Sequence, residues 1–421
     1  MGALFKRLWA TLPDNLEGGR QLGVLVMIFF LIVCHKVMVG ILCLCAFLGI
    51  LWLIRARGAI VWRHLWPLGL SVLFFVLMLV NIPRSPSLVA MHAIDRNLPW
   101  VLVPLALVGL KPSRGWGQAW LWGTVFSMTF MLVLALLDAV YVAWSYEVFF
   151  YEGFTQNMGV GCLFFSVCCA VSLLLSVEYC YGARHRLVRL GYGVLSLYML
   201  LGVMLSSNRS TMIALCAMVL VFVVNIVCSK RMSRDQTYVV SSVAVLCALL
   251  AVAVVRHTRT ARLVENPRLA MWEYTLAERA AYMPWGLGTL SQDTFIAEEL
   301  YTKHRDCPAF QKTLLSIFNN THSTYLDTLV QYGVPGLLYF LFLLAMPWFA
   351  PQCHRQRHRQ ILVLVAVVLI FNSVYQSSEF ARLFSVLINL PLAYMAAYKQ
   401  YPAAQATQGL GCAITGGMRT W

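Results

Sequence analysis

Long apolar segments follow one another along almost the whole chain, and each is about the length of a membrane-crossing helix. A helix rises about 1.5 Å per residue, so roughly 20 apolar residues cross the hydrocarbon layer. Of the 421 residues, 60% are hydrophobic and only 12% are charged, a balance that a water-soluble domain cannot bury. The sequence therefore predicts an all-α integral membrane protein with about twelve spans. The predicted spans lie near residues 19–35, 37–54, 65–81, 98–110, 117–142, 158–178, 187–206, 210–228, 237–255, 323–348, 361–378 and 382–398.

The basic residues predict which loops stay in the cytoplasm, because short loops rich in Lys and Arg resist translocation. One set of alternate loops carries most of them, for example Arg184, Arg186 and Arg189, whereas the other set carries few. Both termini are predicted to be cytoplasmic, and residues 256–322 a large helical loop in the bacterial periplasm. This topology and contact with anionic membrane lipids account for the net charge of +15, so the charge is poor evidence for nucleic-acid binding.

The chain divides into one membrane domain and one large external insertion, since no internal repeat or appended soluble domain is visible. The predicted parts are transmembrane helices one to nine in residues 1–255, the periplasmic loop in 256–322, helices ten to twelve in 323–398 and a cytoplasmic tail in 399–421. No cleavage site follows the first apolar run, so the first span is predicted to be a retained anchor. The loop contains a single cysteine, Cys307, which excludes a disulfide within it.

The external loop and the span after it contain three local signals. Pro267 suits the first position of a helix, so a helix is predicted to begin there. Residues 285–289, Trp-Gly-Leu-Gly-Thr, predict a turn and lack the preceding strand and third glycine of a dinucleotide-binding loop. The run Gly333-Val-Pro-Gly336 predicts a kink or close packing within the tenth span.

Several kinds of catalytic site are missing from the sequence. No Asp-x-Asp pair occurs, and the adjacent Glu298 and Glu299 fall on a predicted surface helix, so carboxylate-bound Mg²⁺ or Mn²⁺ is not expected. The sequence also lacks the Gly-x-Ser-x-Gly, His-Glu-x-x-His and phosphate-loop motifs, which leaves hydrolase, metalloprotease and ATPase functions without support. The remaining candidates for a catalytic site are arginine and histidine residues at the outer membrane boundary. Neither a metal nor another cofactor is expected.

Three external residues are the main candidates for that chemistry. Arg209 lies in a polar break between two spans, Arg268 follows the predicted helix start, and His322 lies where the loop re-enters the membrane. Each residue also has a purely structural interpretation. Arg209 could extend its side chain to the membrane surface, Arg268 could be a surface charge, and His322 could be a hydrogen-bonded structural residue. If they converge, two guanidinium groups could bind a pyrophosphate and an imidazole could accept a proton from an attacking hydroxyl. This combination predicts glycosyl transfer from a lipid pyrophosphate donor.

Four motifs, in this order and spacing, resemble the O-antigen ligase and polymerase superfamily. They are Ser206-Ser-Asn-Arg209-Ser-Thr, Arg268-Leu-Ala-Met-Trp272, Pro284-Trp-Gly-Leu-Gly288, and the run from His322-Ser-Thr-Tyr325 to Gly336. The resemblance covers roughly the second half of the chain and implies a fold akin to the C-type membrane glycosyltransferases. It further implies an O-antigen ligase that moves a polysaccharide from undecaprenyl pyrophosphate to the lipid A-core at the periplasmic face of the inner membrane, without metal and with inversion.

The resemblance also implies roles for individual residues. His322 would act as the base toward the acceptor hydroxyl, while Arg209 and Arg268 would hold the donor pyrophosphate. Tyr325, in the same motif as His322, is a further substrate-binding candidate. Ser323 departs from the commoner pattern of an asparagine after the histidine, which puts any role of a neighbouring amide in doubt.

Four weaker substrate-binding candidates lie in other external segments. Gln156 and Asn157 are at the outer end of the sixth span, where capping a helix is the alternative role. Glu379 lies between the last two spans and could orient His322 or form a plain ion pair. Arg96 could bind donor or acceptor phosphate, although Asp95 beside it supplies a local partner.

Other functions remain open at this stage. An O-antigen polymerase or a protein O-oligosaccharyltransferase would use the same donor and differ only in its acceptor. A twelve-span transporter would be expected to contain repeated halves and ionisable groups at mid-membrane depth. Only Asp138 and Asp327 approach that depth, and no two halves match. A purely structural membrane protein would leave the external arginine and histidine set without a role.

Overall fold

A computed structural model shows how the helices of the chain pack. The residues that it describes are 19, 22–30, 35–56, 62, 65–86, 91–109, 114–141, 162–183, 185–205, 211–212, 214–216, 267–291, 321, 323–346, 385, 387–389 and 392. Within these residues every regular element is a helix and none is a strand. The prediction of an all-α class is confirmed for this part of the chain.

The described helices include long membrane helices and shorter segments at their ends. In chain order they are α1 (22–30), α2 (His35–Ala56), α3 (Trp66–Val80), α4 (His92–Asn97), α5 (Pro99–Leu107), α6 (Arg114–Tyr141), α7 (Cys162–Gly182), α8 (Arg186–Leu205), α9 (Pro267–Ala277) and α10 (Thr324–Ala345). Single turns of 3₁₀ helix follow α3 at Ile82–Arg84 and α9 at Arg279–Ala281.

Four described helices are long and apolar enough to cross a membrane. They are Val37–Arg55, Trp66–Arg84, Arg186–Leu205 and Thr324–Ala345, and they coincide with the second, third, seventh and tenth predicted spans. Two shorter apolar helices, Ala119–Leu134 and Phe165–Val177, lie within the fifth and sixth. The protein is therefore an α-helical membrane protein, while the total of twelve spans stays a prediction.

Two helix boundaries differ in detail from the predicted spans. The helix α2 already begins at His35, so His35 and Lys36 belong to a helix and do not form a loop between two spans. The fourth predicted span contains α5, which has nine residues and rises only about 14 Å against a hydrocarbon layer of about 30 Å. It ends before Gly109, whose φ of 67° is left-handed, a conformation that stops a helix.

An aromatic cluster joins α3, α5 and α10 in the membrane core. The ring of Phe74 on α3 lies 4.9 Å from that of Trp100 on α5 and 6.1 Å from those of Tyr332 and Phe340 on α10. The Tyr339 hydroxyl adds a hydrogen bond of 2.7 Å from α10 to the Leu70 carbonyl of α3. Because α3 and α10 both pack into this cluster, the loop that follows α3 is held close to the segment that precedes α10.

The helices α7 and α8 form an antiparallel pair. The hydroxyls of Ser176 and Ser196 are 2.9 Å apart between the two helices. At the opposite end of α7, the Ser166 hydroxyl lies 2.7 Å from that of Thr211, two residues after Arg209. Many apolar side chains of α8 are exposed, including Leu187 at 83%, as expected of a helix that faces lipid.

The helix α10 is broken at Gly333, where the prediction of a kink is confirmed. Its φ of 67° and ψ of −163° fall in a region that is open to glycine and strained for other residues. The Val334 amide is thereby turned away from Val330, and Pro335 has no N–H to offer to Gln331. Two carbonyl groups inside a membrane helix thus lose their usual donors.

The turn at residues 284–288 supplies the missing donors. Three backbone hydrogen bonds join it to α10: Leu287 N–H to Val330 O at 2.8 Å, Gly288 N–H to Gln331 O at 2.9 Å, and Val334 N–H to Pro284 O at 2.8 Å. A Cβ atom at Gly333 would overlap the Pro284 carbonyl. We call this contact between turn and broken helix the Gly333 junction, and it satisfies backbone groups that lipid cannot.

The end of α3 is also part of the Gly333 junction. The Thr289 hydroxyl donates to Met78 O at 2.7 Å, and the Arg84 guanidinium donates to Trp285 O at 3.2 Å and to Gly286 O at 3.0 Å. The loop after α3 therefore lies on the same side of the protein as the segment that enters α10. The alternation of basic and non-basic loops predicts this sidedness.

Candidate active site

The helix α9 begins at Pro267, as the sequence predicts, and Arg268 is its second residue. Proline suits this position because the first N–H groups of a helix have no intrahelical acceptor. The same unpaired N–H groups and the helix dipole favour an anion at this end. Arg268 therefore lies where the backbone already attracts negative charge.

Trp272 joins α9 by a hydrogen bond to Thr321, the residue before His322. Its indole N–H donates a hydrogen bond of 2.8 Å to the carbonyl of Thr321. Arg268 precedes Trp272 by four residues, so the two share a helix face and lie about 6 Å apart along the axis. The backbone of Arg268 is thus held about one helical turn from the anchor of the His322 segment.

A buried carboxylate organises the backbone on both sides of His322. Asp327 Oδ1 accepts the Thr321 N–H at 3.0 Å and the Thr321 hydroxyl at 2.6 Å. The Thr321 hydroxyl oxygen lies 3.1 Å from the Ser323 amide, from which it accepts, and the Asp327 amide donates to Ser323 O at 2.9 Å. We call these three residues, Thr321, Ser323 and Asp327, the Thr321 brace.

The Thr321 hydroxyl has one proton and two acceptors within reach. The second is the Ser323 carbonyl at 2.9 Å, which is neutral and farther away than the Asp327 carboxylate. Hydrogen bonds to a charged acceptor are shorter and stronger, so the proton goes to Asp327. Thr321 and Asp327 are fully buried and Ser323 is 4% exposed, so water does not compete for these bonds.

Tyr282, which follows α9, joins its segment to α10 from the other direction. Its buried ring packs against Leu329 and Val330 of α10, and its hydroxyl donates to Thr275 O at 2.6 Å. Burial raises the pKa of Tyr282, against an opposing effect of Arg279. The hydroxyl therefore stays protonated and keeps its role as a donor.

The structure describes only some of the candidate residues. The backbones of Arg268 and Arg96 are described, in α9 and α4. Tyr325 is in the first turn of α10, with its half-buried ring 5.9 Å from that of Phe340. The candidates that lie outside the described residues are Arg209, Gln156, Asn157, His322 and Glu379. The convergence of Arg209, Arg268 and His322 therefore stays a prediction.

Asp327 is the residue of this site whose role the sequence analysis missed. Its position within an apolar run indicated an ionisable group approaching mid-membrane depth. The structure instead places it in the first turn of α10, directed back at Thr321. The available signal was an acidic residue four positions after Ser323, since carboxylates are favoured in the first turn of a helix.

Residues 194–341 match the family model described as O-antigen ligase. The matched segment begins within α8, includes Arg209, α9 and the turn at 284–288, and continues through His322 into α10. No curated protein matches the chain. The match confirms the superfamily indicated by the four motifs, and it includes all of them.

Proposed function

With residues 194–341 assigned to the O-antigen ligase and polymerase superfamily, a family of glycosyl-transferring enzymes that use lipid-linked polysaccharides, we propose that this chain is an O-antigen ligase. It transfers a polysaccharide from undecaprenyl pyrophosphate to the lipid A-core at the periplasmic face of the inner membrane. The transfer needs no metal ion and inverts the configuration of the anomeric carbon. His322 is the base, and Arg209 and Arg268 bind the donor pyrophosphate.

The proposed reaction is a single displacement. The His322 imidazole takes the proton of the acceptor hydroxyl as the oxygen attacks the anomeric carbon. The bond from that carbon to the pyrophosphate oxygen breaks, and the leaving pyrophosphate keeps the electron pair. Two guanidinium groups neutralise the charge that builds there, a role in which a divalent ion would otherwise serve. The proton then passes from the imidazole to solvent.

The bond from Trp272 to Thr321 is the observation that most supports this assignment. It joins the helix that carries Arg268 to the residue before His322, although the two segments are far apart in the sequence. A base and a leaving-group site must lie on either side of one sugar, so they must be held in a constant relation. A direct link between their supporting segments supplies that relation.

The test of the base is His322→Ala, compared with His304→Ala in the same predicted external loop. We expect His322→Ala to be inserted in the membrane at the wild-type level and to leave lipid A-core without polysaccharide, whereas His304→Ala retains transfer. Gel banding of lipopolysaccharide from complemented cells measures the outcome. Full ladders with His322→Ala would refute the assignment of the base.

The acceptor is tested separately, with purified protein in liposomes and one lipid-linked donor. Lipid A-core, a protein and a second lipid-linked glycan are offered in turn. Transfer to lipid A-core is the expected result. Transfer to the glycan would identify a polymerase and transfer to the protein a protein O-oligosaccharyltransferase. Uptake of the intact donor without any new glycosidic bond would identify a transporter.

A further inference from the structure

Asp327 is a fully buried carboxylate to which the proposed reaction assigns no task. Burying a charge is costly unless hydrogen bonds compensate for the lost water. Here two donors, both from Thr321, converge on one oxygen atom of the carboxylate. An exposed serine or aspartate would suffice to cap a helix, so capping alone does not account for a buried charge at this place.

The geometry of the Thr321 brace shows what the carboxylate holds. Asp327 fixes the amide and the hydroxyl of Thr321, and that hydroxyl accepts from the amide of Ser323. Residue 322 is the single residue between these two. The backbone on either side of it is therefore tied to one side chain of α10, and Trp272 holds the Thr321 carbonyl from the other direction.

We propose that Asp327 is a positioning residue that sets the direction of the His322 side chain by fixing its two backbone neighbours. This inference rests on the proposed function, since it assumes that His322 is the base. Asp327 does not touch the substrate and does not move a proton. Its effect is to keep the imidazole aligned with the acceptor hydroxyl, so its loss lowers the rate of transfer and leaves donor binding intact.

Loss of this alignment has a measurable cost. A displacement of a catalytic group by about 1 Å lowers a rate about 100-fold. For Asp327→Ala we therefore expect kcat to fall about 100-fold while KM for the donor stays within about threefold. Asp327→Asn keeps an oxygen acceptor without the charge, so its loss of kcat is expected to lie between those of wild type and Asp327→Ala.

Variants of Thr321 test the same bonds from the donor side. Thr321→Val removes the hydroxyl and keeps the amide bond to Asp327, so we expect kcat to fall about tenfold at unchanged KM. Thr321→Ser restores the hydroxyl, and we expect it to restore kcat. Because both changes remove the bond from the Thr321 hydroxyl to Asp327, their losses of kcat should combine to less than the product of the two single losses.

Thr328→Val is the matched control. Thr328 is a buried residue of the same helix, and its hydroxyl donates to Thr324 O at 2.6 Å without contacting Thr321. The substitution removes a buried hydrogen bond of similar length outside the brace. We expect wild-type kcat and KM from it, whereas an equal loss of kcat in Thr328→Val and Asp327→Ala would mean that helix stability alone is involved.

Hydrogen–deuterium exchange reports on the brace independently of activity. The Thr321 amide donates to Asp327, so it should exchange faster in Asp327→Ala and remain protected in Thr328→Val. Unchanged protection in Asp327→Ala would overturn the proposal. If Asp327→Ala does not fold, Thr321→Val and Thr321→Ser decide, and wild-type kcat in Thr321→Val would overturn it.

The two proposals fail in different ways. If His322→Ala retains full transfer, the base assignment is refuted and with it the catalytic reason for the brace. If His322→Ala is inactive while Asp327→Ala keeps wild-type kcat, the base assignment stands and the positioning role is refuted. Loss of kcat in both, with KM unchanged in Asp327→Ala and recovery in Thr321→Ser, is the result expected for a positioning residue.

Discussion

Replacing Gly333 by alanine should strongly destabilise the protein. The observed φ and ψ are strained for a residue with a Cβ atom, at about 1–3 kcal/mol. The new Cβ would also overlap the Pro284 carbonyl, so the turn at 284–288 must move. That displacement puts at risk three backbone hydrogen bonds worth about 1 kcal/mol each.

The strain and the lost bonds together predict a loss of about 4–6 kcal/mol in the free energy of unfolding. Folded proteins are stable by only about 5–15 kcal/mol, so Gly333→Ala should be recovered poorly from membranes and should melt at a clearly lower temperature. The assay is size-exclusion chromatography of a fluorescent fusion in detergent after heating to a series of temperatures.

Gly69→Ala is the control for this measurement. Gly69 is in α3 and nothing lies within 4 Å of a Cβ atom built there. Alanine is favoured over glycine in a helix by about 1 kcal/mol, so this variant should melt at or above the wild-type temperature. If Gly333→Ala melts together with Gly69→Ala, the broken helix is not under the constraint described above.

Four further predictions concern the site and its supports. Arg268→Lys keeps the charge and loses the planar fork, so KM for the donor should rise about tenfold in the liposome assay. Arg279→Ala, an exposed change in the 3₁₀ turn that follows α9, should leave KM for the donor unaltered. Transfer should continue in excess chelator; activity that is lost and then restored by a divalent ion would contradict metal-free catalysis. Arg84→Ala removes three hydrogen bonds from a partly solvated site and should cost about 1–2 kcal/mol in the heating assay. Tyr282→Phe leaves the Thr275 carbonyl without this donor, so the free energy of unfolding should fall by about 1 kcal/mol. A wild-type melting temperature would contradict this expectation.

The membrane helices could be predicted because their cause is local. Apolar length alone identifies α3, α8 and α10, and Pro267 alone identifies the start of α9. The break in α10 was also predictable, since glycine and proline within a span leave few helical conformations open. What the pattern could not show is the partner of the break, because the turn at 284–288 reaches it from another part of the chain.

The Thr321 brace shows where sequence reasoning fails. Asp327 is an acid within an apolar run, and only the fold reveals that its side chain is directed at Thr321. Hydrogen bonds between side chain and backbone depend on the angle at which a loop enters a helix, which residue spacing does not encode. Likewise, the motif order predicts that Arg209, Arg268 and His322 belong to one site, but it does not encode the distances between them.

The bonds from Arg84 to Trp285 and Gly286 have a consequence for biogenesis. These partners follow it by 201 and 202 residues, and a ribosome adds about 5–20 residues per second. About 10–40 s of synthesis therefore separates Arg84 from these two acceptors. The contact can close only after residue 286 has been synthesised, and until then the Arg84 guanidinium has its local bond to Asn81 and not the two that join it to the turn.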